Sequence, residues 1–462
     1  MKTYDLMKKY VASQAVDYAL SLLAKDPQQN LITLTRILEL FAGGPSEKQQ
    51  IQTARKAFED PNHVWTKLAQ RGFSHLHSSY RTRGLVNLFI NEAYMGQQER
   101  RQHSLELGTP VPSLIVISPT MRCNLNCQGC YAGRYSKEHE IDEATFDRII
   151  TEGKELGIYF YVISGGEPFL RADLLSIAEK HDDAVFMVYT NGTLIDEDLA
   201  HRLADLGNIS PAISLEGMEK ETDARRGAGT FKAVMRAMDY LQEAGAVFGF
   251  SATYTRNNVE VLADEAFIDM LIDKGAMYGW FFMLIPVGKD NDMSLMCTPA
   301  QRDTMRKHVL NLRETKPIFA IDFWNDGPMV SGCMAGGRSY LHINAQGDIE
   351  PCVFIHFAVD NIKNTTLKQA LTSPYFMDIK ARMPLNENHL RPCMIVDNPH
   401  ILRDVVCRHG ARPTHEDADS VITVLADELD KYASEYGELA DTAWGQEYVI
   451  GKAQRTRSPQ QE

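Results

Sequence analysis

The stretch Met121-Arg122-Cys123-Asn124-Leu125-Asn126-Cys127-Gln128-Gly129-Cys130-Tyr131 places three cysteines within eight residues at the spacing C-x3-C-x2-C. Thiolates this close form a chelate, and soft sulfur ligands on a short loop select zinc or an iron-sulfur cluster. Zinc in a structural site takes a fourth protein ligand in a closed tetrahedron, and the nearest candidate is His139. A cubane held by three cysteines instead leaves one iron without a protein ligand, open to chemistry. Spacing alone leaves both readings standing.

Outward from this loop, Gly108, Pro110 and Pro112 interrupt a helical pattern, and residues 113–118 (SLIVIS) follow as a β-branched apolar run that predicts a buried strand. Downstream, strand-like runs at 158–164, 184–190, 209–215, 247–255 and 278–285 alternate with amphipathic stretches near 142–157, 172–182, 196–206, 230–245 and 259–274. Alternation at this spacing predicts parallel strands joined by right-handed crossovers, an open or closed barrel-like α/β domain. Such folds carry their chemistry at the C-terminal ends of the strands, and the three-cysteine loop follows the first strand directly.

The flanks read differently. Leu6, Tyr10, Val16, Leu20 and Leu23 recur at helical steps, and Ile37, Leu38 and Phe41 continue the pattern to a stop at Gly43-Gly44. Ser46 with Gln49 then has the form of a capping box that starts the next helix. Past residue 315, residues 318–323 are a further strand candidate, runs at 339–343 and 349–354 flank a turn at 344–348, and a helical stretch covers 367–383. The expected organisation is a helical domain at 1–110, the barrel at 111–320, a small α+β region at 321–450 and a frayed polar tail at 451–462.

The chain has 462 residues, 44% of them apolar and 24% charged, which is the composition of a soluble globular protein. A net charge of -13 argues against a general nucleic-acid or anionic-membrane binder. No apolar run approaches the roughly 18 residues needed to span a bilayer, and the start MKTYDLMKKYVASQ carries no secretory signal. The expected compartment is the cytoplasm, where the eight cysteines are ligands or free thiols rather than disulfides.

Further motifs fall where barrel chemistry is expected. Gly165-Gly166-Glu167-Pro168 ends the second strand, where glycines let a ligand approach the backbone and a carboxylate can receive an ammonium group. The third and fourth strands end in Asn191 and in Ser214 and Glu216, polar side chains suited to a ribose or carboxylate. Taken singly, each is more often a turn. Together and in this order, over roughly residues 113 to 290, they resemble the radical S-adenosylmethionine (SAM) superfamily.

That resemblance implies a partial (βα)6 TIM-like barrel with an N-terminal helical domain and a small α+β C-terminal iron-sulfur domain. It implies that Cys123, Cys127 and Cys130 bind a [4Fe-4S] cluster whose open iron takes the amino and carboxylate groups of SAM. Gly165, Gly166, Glu167 and Pro168 match the motif that contacts the SAM amino group, and Asn191, Ser214 and Glu216 match positions lining its ribose and methionine part. Arg226, within the segment 223–231, is expected to help hold the cofactor. Gly129 stands where an aromatic residue is frequent in the family, so adenine packing is expected from Tyr131 or backbone. Glu216 stands where an aspartate is frequent.

Cys333, Gly347 and Cys352 match the opening of the SPASM, or shorter "twitch", extension of that family, which holds auxiliary iron-sulfur clusters. The dense cysteine run of a two-cluster extension is absent. The resemblance thus implies one auxiliary [4Fe-4S] cluster on Cys333, Cys352 and Cys393, with Cys407 or no protein group at its fourth iron. Cys297 reads as a free thiol.

The function implied is reductive cleavage of SAM to a 5'-deoxyadenosyl radical that abstracts hydrogen from a substrate. A small or lipid-like molecule is favoured over a peptide, because the helical N-terminus does not read as a strand-rich peptide-recognition module. The implied partner is a one-electron donor such as flavodoxin or ferredoxin. A reading of another class, a non-catalytic iron-sulfur or zinc sensor, leaves Gly165 to Pro168 and the polar strand ends without a role.

Overall fold

The short apolar runs around the cysteine loop form parallel strands: β1 (Leu114–Ile117), β2 (Phe160–Ile163), β3 (Val185–Thr190), β4 (Ile209–Ser214), β5 (Gly249–Tyr254), β6 (Tyr278–Met283) and β7 (Phe319–Asp322). Each pairs with the next in sequence, and a helix follows each of β1 to β6 on the way to the next strand. The computed structural model describes residues 27–41 and 44–450. The stripe from Leu6 to Leu23 and the tail at 451–462 lie outside the described residues.

Strand period decides which side chains face the barrel interior. Leu114 and Val116, Phe160 and Val162, Met187 and Tyr189, Ser251 and Thr253, and Trp280 and Phe282 line one internal cavity. Their neighbours Ile115, Ile117, Tyr161, Ile163, Phe186, Val188, Phe250, Ala252 and Phe281 are buried in the core. Burial on both faces explains why these strands read as apolar runs rather than as alternating ones.

The parallel run continues one unit past the expected six. A long helix, Pro299–Thr315, returns the chain so that β7 pairs in parallel with β6. At the other edge, β8 (Tyr340–Ile343) pairs in parallel with β1, and β9 (Asp348–Glu350) pairs antiparallel with β8. The C-terminal hairpin therefore extends the barrel sheet, which reaches ten strands with Asp360–Asn361 at its edge. The expected strand at 349–354 stops at Glu350, and the expected helix at 367–383 breaks into Leu367–Leu371 and Pro374–Ala381, with Pro374 starting the second piece.

A buried polar chain fastens that hairpin to the barrel. Ser118 Oγ lies 2.8 Å from His342 Nε2, His342 Nδ1 lies 2.6 Å from Glu350 Oε2, and Glu350 Oε1 accepts from Tyr135 and Asn344. His342 and Glu350 are fully buried. Removing one partner of such a pair strands the other without solvent. His342→Ala is expected to lower unfolding stability by about 3 kcal/mol or more, measured by denaturant titration; a loss below about 1 kcal/mol would fit an ordinary surface pair instead.

The N-terminal helices do two things. Leu31, Leu34 and Ile90 form a small core with Ile37, Leu38, Phe58 and Phe73. The stretch that follows packs on the barrel and serves carbonyls in the connections that lead from its helices into its strands. Arg71 donates to Ile272 O and Pro317 O, Tyr80 to Ile209 O, Arg83 to Leu206 O, Asn87 to Asp182 O and Arg100 to Gly157 O. The capping box expected at Ser46 is not the helix start: the helix is Pro45–Glu59 with Gly44 at its cap. Pro45 explains the shift, since its fixed φ suits the first helical position.

Candidate active site

At the top of the barrel, Cys123, Cys127 and Cys130 line the internal cavity, about 210 Å3 in volume, together with Tyr131, Ser164, Gly165, Gly166, Thr190, Asn191, Ser214, Arg225 and Arg226. The cysteine loop is held from two sides. Gly166 N donates to Thr120 O at 2.9 Å and Glu167 N to Arg122 O at 2.8 Å, stitching the end of β2 to the base of the loop. A Cβ on Gly165 would meet Thr120 O at 2.3 Å, and one on Gly166 would meet Arg122 O at 2.1 Å. These glycines are thus required by the approach of one loop to another, as well as leaving an open cavity edge.

On the other side, Arg225 donates to Gln128 O at 3.1 Å and to Gly129 O at 3.4 Å, and Gln128 N donates back to Arg225 O at 2.9 Å. Arg226 Nη1 lies 3.9 Å from Cys127 Sγ. Burial pushes the Cys130 thiol up, as does the neighbouring Cys127, while Arg225 and Arg226 pull it back. Two guanidinium groups beside three thiols are suited to a bound group that is strongly negative.

Glu216 corrects an expectation. Its carboxylate is fully buried and accepts from Arg225 Nη1 at 2.6 Å, from Arg226 Nε at 2.7 Å and from Thr253 N at 3.1 Å, and it does not line the cavity. It aims the two arginines from behind the cavity wall. Glu167 likewise turns away from the cavity: it is fully buried and accepts from Phe169 N, Thr190 Oγ1 and Asn191 N at 2.8 to 3.0 Å. Burial raises its pKa, and these donors lower it. Pro168 begins the short turn that follows and is also off the cavity wall.

Asn191 and Ser214 do line the cavity, and Asn191 Nδ2 lies 3.8 Å from Cys123 Sγ. Tyr131 lines it too, with its hydroxyl 2.6 Å from Ser164 Oγ and accepting from Gly165 N. Burial pushes that hydroxyl up to about 12. Gly129 has φ 63°, a left-handed conformation that suits glycine, and a Cβ there would stand 2.7 Å from Leu284 Cδ1. Leu284 fills the space that an aromatic side chain would need.

The second cysteine set lies behind a shared wall. Cys333, Cys352 and Cys393 line a chamber of about 520 Å3. Trp280, Phe323, Met334, Tyr340 and Phe354 line both this chamber and the barrel cavity. Tyr340 Oη is 2.8 Å from Cys352 Sγ, and Asp397 accepts from Cys393 N at 2.9 Å while paired with the buried Arg302 at 2.6 Å. Burial pushes the Cys393 thiol up to about 12, and Asp397 adds to the shift.

Cys407 is not brought to this set. It is exposed on the helix Pro399–His409, whose buried face is carried by Leu402, Val405 and Val406. Cys297 is a free cysteine, fully buried in the core on the segment before the helix Pro299–Thr315.

The donor sets fit clusters better than zinc. His139 is exposed and off the cavity wall, so the zinc reading lacks its fourth ligand. Among the described residues, no group of three or more His, Cys, Asp or Glu side chains is arranged to hold a single metal ion. Three half-buried thiols at the top of a parallel barrel, with a second set of three behind one wall, are the donor sets of an iron-sulfur protein.

The comparisons agree. The family model for the radical SAM superfamily matches residues 117–261, and that for the SPASM iron-sulfur cluster-binding domain matches residues 333–394. The mycofactocin maturase MftC of Mycobacterium ulcerans is 31% identical over 54% of this chain and 70% of its own. An AdoMet-dependent heme synthase of Nitratidesulfovibrio vulgaris is 28% identical over 57% of this chain and 79% of its own. The crystal structure of Streptococcus suis SuiB bound to precursor peptide SuiA shares the fold at a TM-score of 0.52 and 19% identity, covering 62% of this chain and 70% of that one. The chain belongs to the radical SAM superfamily and carries its SPASM-type extension. It is an enzyme whose cofactors are a [4Fe-4S] cluster, SAM and auxiliary iron-sulfur. No helix among the described residues is long and apolar enough to cross a membrane.

Sequence reading missed Arg225 and the Ser118–His342–Glu350 chain. Arg225 had a local signal, since it stands beside Arg226 in a helix that follows β4. The polar chain had none, because it is made by pairing β1 with a strand more than two hundred residues away.

Proposed function

We propose that this enzyme holds its [4Fe-4S] cluster on Cys123, Cys127 and Cys130, reductively cleaves SAM there, and takes hydrogen from a small or lipid-like substrate. Bound together, cluster and SAM supply a one-electron reduction that leaves a carbon radical able to abstract hydrogen from an unactivated carbon. The observation that carries the reading is the joining of three half-buried thiols, a glycine edge and paired arginines in one cavity at the C-terminal ends of parallel strands.

Each part of the chain has a task in this reading. Gly165, Gly166, Asn191 and Ser214 form the edge against which SAM lies. Arg225 and Arg226, aimed by Glu216, offset the negative charge of the thiolates. The apolar barrel wall excludes water from a reactive carbon centre. Cys333, Cys352 and Cys393 hold the auxiliary cluster with no protein group at the fourth iron. It stands one layer of side chains from the barrel cavity, placed to exchange an electron with the substrate or to bind it. The electron for cleavage comes from a flavodoxin- or ferredoxin-type donor in the cytoplasm.

The experiment is direct. Protein purified without oxygen, reconstituted with iron and sulfide, and given SAM and dithionite is expected to release 5'-deoxyadenosine. A protein with its cluster intact that releases none would overturn the reading.

A further inference from the structure

The chamber behind the shared wall is larger than its three cysteines require. A cubane has eight heavy atoms, which at about 30 Å3 each, the volume of one water, occupy under half of the space. The whole chamber, at about 520 Å3, falls within the size of small-molecule sites. Its outer part is built from segments that neither family model covers: Trp65 from the helix Val64–His75, Phe319 from β7, and Met329 and Val330 from the short helix Gly327–Val330.

Its mouth is apolar and open. Trp65 is 45% exposed, Phe319 57% and Met329 67%, three large side chains from separate segments converging at one opening. Inside, Trp280, Phe323, Trp324 and Phe354 continue the aromatic lining. The charged lining residues Arg313 and Asp326 neutralise each other at 2.5 Å, so away from the three cysteines the walls offer no free charge to a ligand. Aromatic faces with no net charge select a neutral ring system, which buries large area and stacks at little entropic cost.

We propose that this chamber is a binding site for a neutral, planar conjugated molecule, or for such a part of a larger one. The ligand enters between Trp65, Phe319 and Met329 and reaches the wall formed by Trp280 and Phe354. The inference rests on the proposed function for what happens next: that wall is shared with the barrel cavity, so a ligand seated here is one layer of side chains from the SAM site. Binding itself needs no turnover.

Equilibrium dialysis of the reconstituted full chain against N-phenyl-1-naphthylamine, a neutral aromatic probe, tests it. One probe molecule per chain is expected, with affinity lowered at least tenfold in the double variant Phe319→Glu/Met329→Glu. The control Leu105→Glu, at a residue 79% exposed and outside the chamber lining, is expected to bind as wild type does. Iron content shows that each variant keeps its fold. Absence of saturable binding, or equal binding by wild type and the double variant, would overturn the site. So would loss in the control, or a wild-type dimer that the double variant converts to monomer, which would mark the mouth as a contact between copies. Release of 5'-deoxyadenosine without probe binding removes the site and leaves the reaction; probe binding without that release does the reverse.

Discussion

The triple variant Cys123→Ala/Cys127→Ala/Cys130→Ala is expected to release no 5'-deoxyadenosine while retaining about four irons per chain, the content of one cubane. The two cysteine sets are separate in space, with Cys123, Cys127 and Cys130 on the barrel cavity and Cys333, Cys352 and Cys393 on the chamber behind it. Emptying the first set leaves the partners of the second untouched: Tyr340 on Cys352, and the Arg302–Asp397 pair on Cys393. Wild type should carry about eight irons. Loss of all iron from the triple variant would leave Cys333, Cys352 and Cys393 without a cluster.

The second large effect is expected from a single methyl group. Gly166→Ala would put a Cβ 2.1 Å from Arg122 O, a contact between backbone segments that no rotamer change relieves. The loop from Thr120 to Arg122 must then move, breaking its bonds from Gly166 N and Glu167 N and carrying Cys123 with it. A displacement near 1 Å at a reacting centre costs about 100-fold in rate. We expect SAM cleavage to fall by about that factor or more, with the second cysteine set keeping its iron. A rate within about twofold of wild type would show that the cysteine loop does not depend on this contact.

Much of the site was legible because its signals are local. The cysteine spacing makes a chelate in one loop, and the apolar runs after it fix parallel strands whose ends must gather the chemistry. Asn191 and Ser214 reach the cavity for that reason. What escaped depends on contacts far apart in sequence. Glu216 and Glu167 sit at strand ends as expected, yet each carboxylate accepts from donors on other segments and stands off the cavity wall. The parallel pairing of β8 with β1 joins residues more than two hundred apart, and no short pattern encodes it.

Other differences had a readable cause. Cys407 follows Leu402, Val405 and Val406, whose helical spacing marks the buried face and leaves the thiol outside. Gly129 reads as a missing aromatic side chain, but its positive φ and the neighbouring Leu284 make it a required glycine. Pro45 outweighs Ser46 at the start of its helix. In each case a local rule was present, and a stronger local rule decided.

Cys123, Cys127 and Cys130 are proposed to hold a cluster whose open iron receives SAM. Electron paramagnetic resonance of the dithionite-reduced protein, recorded with and without SAM, tests it most directly. Wild type is expected to show two cluster signals, one of which shifts on adding SAM, and the triple alanine variant to show only the signal that SAM leaves unchanged. A wild-type spectrum that SAM does not alter, from protein carrying its full iron, would contradict the account.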